Sequence, residues 1–173
     1  MQRVKTKDRI LCAMFVALIA IGAFLKIPVP VVPFTLQFLF TTLAGLLLGG
    51  KKGCLSVCLY IILGLIGLPI FAQGGGIGYL FQPSFGYVIG FAAGAYLTGT
   101  IANAVRRPDY QRLLAANFAG LGVVYLFGMA YCYWMSHFYL GNPIGLGSLF
   151  LYGFLLAVPG AVLLWMGGAG LGV

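Results

Sequence analysis

Acidic side chains are almost missing from this sequence. Only 7% of its 173 residues are charged; Asp8 and Asp109 are the acids and His137 is the one histidine. That scarcity excludes paired carboxylates for general acid–base work, clustered ligands for a metal, and the carboxylate relays that couple transport to protons or sodium. Cysteine is sparse too: Cys12, Cys54, Cys58 and Cys132 form no CxxC pair and have no histidine at ligand spacing, so free thiols buried in helices are expected. A phosphate-binding loop is also lacking. Gly45, Gly50 and Lys51 fit most of its pattern, but Lys52 stands where a hydroxyl should hold Mg²⁺. The chain is expected to be no enzyme, to carry no cofactor or metal, and to draw any energy from a partner or a gradient.

What is abundant is apolar surface, at 62% of residues, more than a water-soluble domain can keep inside. The expected fold is an all-α integral membrane protein, one domain spanning residues 1–173. A span needs roughly 20 apolar residues, and six runs qualify: Ile10 to Leu25, Phe34 to Gly49, Gly53 to Gly67, Ser84 to Val105, Leu113 to Met135, and Gly147 to the C-terminus. The first is read as a helix and not a signal peptide, because it runs on into a Pro-rich segment. Arg3, Lys5, Lys7, Arg9, Lys51, Lys52, Arg106, Arg107 and Arg112, nine of the ten basic residues, then fall on one side. The positive-inside rule makes that side, with both termini, cytoplasmic. A charge of +8 spread in this way suits lipid headgroups and topology, not nucleic acid.

The other side is built differently. Lys26 to Gln37, Leu68 to Tyr87 and Ser136 to Gly147 are long, apolar segments rich in Gly, Pro and amides. Irregular backbone at membrane depth persists only where protein or a cavity covers it, so a pocket near the outer surface is expected. Candidate lining residues are Thr35, Gln37, Gln73, Tyr79, Gln82, Ser84, Tyr87 and Tyr152, whose amides and hydroxyls suit a cyclic urea or amide ligand. Gly74 to Gly76 offers an N–H nest for a carboxylate, or simply a turn. Lys26 either snorkels to headgroups or pairs with an anionic ligand. His137 reads as an interfacial loop residue, and Trp134 and Trp165 as belt aromatics. Small residues at four-residue spacing, Gly86, Gly90 and Gly94, and Ala13 with Ala17, allow close helix approach.

Two stretches, PVVPFTLQ at Pro30 to Gln37 and GLPIFAQGGGIGYLFQPSFGYVIGF at Gly67 to Phe91, resemble the BioY family. Those proteins are biotin-binding S components of energy-coupling factor transporters: six helices that work with a transmembrane coupling protein and two ATPases in the bacterial plasma membrane. The resemblance runs through nearly the whole chain. It implies that Ala13 and Ala17 form the face that meets the coupling protein, that Pro30 to Gln37 caps the pocket, and that Gln73 to Tyr87, Gly75 included, lines it. The family usually has an Asp after Pro-Gly in span six and a polar residue three positions later. Here Ala161 and Leu164 occupy those places. Another vitamin, a stand-alone facilitator and an inactive homologue remain alternatives at this point.

Overall fold

The computed structural model describes residues 6–27, 34–105 and 109–139, with positions 141, 145, 147 and 148. Five α-helices account for most of them: α1 Thr6–Phe24, α2 Gln37–Leu48, α3 Gly50–Ile66, α4 Phe85–Ala102 and α5 Tyr110–Phe138. Each matches one of the first five apolar runs. The sixth run lies outside the described residues apart from Gly147 and Ser148.

Helices α4 and α5 are long and apolar enough to cross a membrane by length and composition. Helix α2 is not, since its 12 residues reach only about 18 Å. It is shorter than the apolar run suggests for two local reasons. At its end Gly49 takes φ +85°, a left-handed conformation that turns the chain straight into α3. Before its start, residues that continue the apolar run are drawn into a two-residue antiparallel ladder, β1 Lys26–Ile27 with β2 Phe34–Thr35, pairing Lys26 with Thr35 and Ile27 with Phe34. Hydropathy does not distinguish a short hairpin from a helix end, and the ladder is a feature the sequence reading missed.

Apolar side chains face outward around the bundle. Met14 and Phe24 on α1, Ile62 and Ile66 on α3, and Phe118 and Leu126 on α5 are all exposed. Thr41, Thr42, Ser56 and Thr98 are buried instead. Their hydroxyls donate to backbone carbonyls, Thr41 and Thr42 to Phe38, Ser56 to Lys52 and Thr98 to Ala116. That distribution suits lipid, where exposed hydrocarbon costs nothing and every interior polar group needs a partner.

Helix α4 lies at the centre, packed on α2, α3 and α5. Its glycines explain how. A side chain at Gly90 would meet Val124 Cα at 2.9 Å, and one at Gly94 would meet Val124 Cγ2 at 2.7 Å, so the Gly86/Gly90/Gly94 row seats α5 as the spacing predicts. At the other end of α4, Gly99 touches the backbones of Gly45 and Gly50, and Gly45 has Ala95 O where its own Cβ would be, 2.5 Å away. The glycines that imitate a phosphate loop thus let three backbones cross. Asp8 and Lys52 form an ion pair at 2.9 Å that ties α1 to the start of α3. Arg112 Nε donates to Ile101 O at 3.0 Å and joins α5 to the end of α4. All four cysteines are free; Cys12 and Cys132 are buried, but Cys54 and Cys58 are only half-buried, with sulfurs 4.0 Å apart one turn along α3.

Candidate ligand site

The segment between α3 and α4 folds back over the end of the bundle. Its first part is clasped to α3: Gly76 N–H donates to Gly64 O at 2.7 Å, and Phe71 and Gly74 exchange backbone bonds of 2.8 and 3.2 Å. The Phe71 ring rests on Gly64, where any side chain would collide with it. Tyr60, buried in α3, donates its hydroxyl to Ile70 O at 2.8 Å and fixes the loop from below. The second part is the short 3₁₀ helix Ile77–Phe81, which buries Tyr79.

These aromatic rings form one continuous cap. Phe71 packs on Tyr60 and Tyr79 with centroids 5.4 and 4.5 Å apart, Tyr79 meets Phe85 at 6.2 Å, and Phe85 meets Tyr131 at 6.1 Å. Edge-to-face and tilted pairs of this kind bury large area at low conformational cost. Tyr131 closes the far side with a hydrogen bond to Leu80 O. Polar groups sit within the cap. The Tyr79 and Ser84 hydroxyls are 3.4 Å apart. Burial raises the Tyr79 phenol above its ordinary pKa, against the opposing pull of Ser84 and a backbone hydrogen bond with Gln73. At neutral pH this phenol keeps its proton.

Gln37 opens α2 and is only 2% exposed. Its amide adjoins the Tyr60 hydroxyl, yet Nε2 has no hydrogen-bond partner among the described residues. Close approach of α1 holds it in place: a side chain at Gly22 would meet Gln37 N and Cα at 3.0 Å.

Of the residues expected to line a pocket, the fold brings Gln37, Tyr79 and Ser84 to this cap, with Gln73 contributing its backbone. The Gln73 and Gln82 side chains are exposed. Tyr87 lies on the opposite flank of α4, its ring against Gly128 and edge-on to Tyr125 at 5.9 Å. Thr35 is half-buried in the ladder beside Lys26. The side chain of Lys26, and Tyr152, Trp165, Ala161 and Leu164 entirely, lie outside the described residues. The Gly74 to Gly76 nest is corrected: the Gly74 and Gly76 N–H groups bind Phe71 O and Gly64 O, and Gly75 packs its Cα face on Leu68 O. The triplet is a structural turn. His137 is corrected too, since it sits in the last turn of α5, exposed, and stacks on Tyr133 at 5.9 Å. Trp134 is exposed beside Phe138, as a belt residue should be. Tyr60 and Phe71 were missed. The signal for Tyr60 was present, because it shares one face of α3 with Gly53, Ser56 and Gly64, all small or polar positions at helical spacing.

A bundle that turns hydrocarbon outward and closes one end with aromatic rings suits a helical membrane protein. The chain belongs to the BioY family, whose model matches residues 1–172. It is similar to the probable biotin transporter BioY of Lysinibacillus sphaericus, 45% identical over 153 residues, covering 88% of this chain and 78% of that protein. The biotin transporter BioY of Thermotoga maritima is 42% identical over 124 residues, 71% of this chain and 72% of its own. Among solved structures, the S component for biotin from an ECF-type ABC transporter superposes with a TM-score of 0.68 at 27% identity, covering 94% of this chain and 87% of that one.

Proposed function

We propose that this chain is the substrate-capturing S component of an ECF-type uptake transporter and that its substrate is biotin. The observation that carries the reading is the match to the BioY family over residues 1–172, joined to the fold it shares with a biotin S component. The chain is a single membrane domain of six spans with both termini cytoplasmic, lying in the bacterial plasma membrane. It performs no chemistry itself. A transmembrane coupling protein and two ATPase subunits supply the work.

Recognition combines aromatic walls for an apolar ring with amides and hydroxyls for its polar edge. Gln37 and Tyr79 are favoured by burial under the cap. Thr35, Gln73, Gly75 and Gln82 belong to the adjoining loops, Tyr87 lies on the α5 side, and Tyr152 completes the set. Lys26 takes the ligand's carboxylate, a role strengthened because the Gly74 and Gly76 N–H groups are already bonded. Ala13 and Ala17 are both exposed on α1, away from the buried Cys12, Phe15 and Ile19, which suits a contact face for the coupling protein. An Ala13→Leu chain should bind ligand normally but fail to co-purify with that partner.

One sequence feature favours a second reading. Ala161 and Leu164 replace polar residues usual in the family, which suits an altered, less polar vitamin. Calorimetry of the purified chain in detergent decides between the two. Tight biotin binding supports the first reading, and binding of another vitamin without biotin supports the second.

A further inference from the structure

Four buried hydroxyls in this bundle, on Thr41, Thr42, Ser56 and Thr98, are paired with backbone carbonyls, whereas Gln37 Nε2, Asn117 Oδ1 and Ser136 Oγ have no partner among the described residues. Gln37 departs from that pattern at a telling place. It is the first residue of α2, 2% exposed and pressed against α1, and its Nε2 has no partner among the described residues. A bare amide donor at such depth is unfavourable until an acceptor reaches it.

The neighbouring hydroxyl fixes which way the amide points. Tyr60 gives its one proton to Ile70 O at 2.8 Å, so its oxygen is left as an acceptor only. An amide beside an acceptor turns its NH₂ group towards it, not its carbonyl, and here the approach stops short of a hydrogen bond, so the donors stay unused. Gln37 therefore presents N–H donors under the aromatic cap.

We infer that Gln37 reads an oxygen acceptor on the ring of the ligand, and that Tyr60 is the positioning residue that orients the amide. The inference rests on the biotin reading and deepens it: the carbonyl of the cyclic urea is the acceptor, and ligands lacking that oxygen are disfavoured. A site built to donate a hydrogen bond discriminates strongly, because a ligand without the acceptor leaves the donor unpaired.

The test compares biotin with 2-iminobiotin, in which an imino group replaces the ureido oxygen, by calorimetry on the purified full chain. The wild type prefers biotin. Gln37→Leu lowers biotin affinity about tenfold to a hundredfold and narrows the preference. Gln37→Glu, close in shape and acceptor-only when ionised, narrows the ratio further or reverses it, and it carries the test if the leucine variant does not fold. Tyr60→Phe narrows the ratio while biotin still binds, which a merely structural tyrosine would not do. A wild-type ratio in Gln37→Glu, with biotin bound, overturns the inference and leaves the biotin reading standing. Failure of the wild type to bind either compound overturns both.

Discussion

The two ends of α4 solve opposite problems. At its C-terminal end, Gly99, Gly45, Gly50 and Gly53 remove side chains so that the backbones of three helices touch. Hydroxyls near it, on Ser56 and Thr98, are bonded to carbonyls, and the Asn103 amide donates to Gly99 O and Leu46 O. At its N-terminal end the chain does the reverse. Tyr60, Phe71, Tyr79, Phe85 and Tyr131 fill the space with rings, and the Gln37 amide is left without a partner. Without a hydrophobic force between helices in lipid, close backbone packing holds the bundle. An end so packed has no room for a guest. The end packed with rings over an unpaired donor has a reason to take one.

That contrast can be broken by substitution, and the largest effect is expected at the cap. Phe71→Ala deletes the ring that joins Tyr60, Tyr79 and the Gly64 surface, and should destabilise by about 3–5 kcal/mol while also weakening ligand binding. Thermal unfolding in detergent, with and without biotin, measures both. A normal ligand-induced rise in unfolding temperature would show that the cap serves stability alone.

Next comes the crossing. Gly99→Leu drives a side chain into Gly45 and Gly50, a loss of about 1–3 kcal/mol from overpacking. Its folded fraction should bind ligand with wild-type affinity, and a weakened affinity would mean that the two ends are coupled. Thr98→Val removes the hydroxyl that reaches Ala116 O between α4 and α5, at about 1 kcal/mol, with ligand binding unchanged. The smallest effect belongs to Asp8→Asn. It breaks a partly exposed pair with Lys52 worth about 0.2–1 kcal/mol, and the difference from wild type should shrink as salt is raised.

The five described helices were legible because apolar residues run on along each of them, a property local to the chain. The roles of individual polar residues were less legible. Gln37 and Tyr87 look equally suited to a pocket in sequence, yet one lies beneath the cap and the other faces α5 at Gly128. Gly74 to Gly76 reads as an anion nest until the loop closes and its N–H groups bind Gly64 and Phe71. Tyr60 carries little weight as one aromatic in an apolar helix, and gains its role from a carbonyl ten residues on.

By itself, then, the sequence determined the apolar surface and the helices, since composition and periodicity act along the chain, and its motifs pointed to the family. Only the tertiary structure decided which polar atoms are paired and which are left open. A hydrogen bond is satisfied by whatever group arrives from elsewhere in the fold, and no local pattern records which group that is.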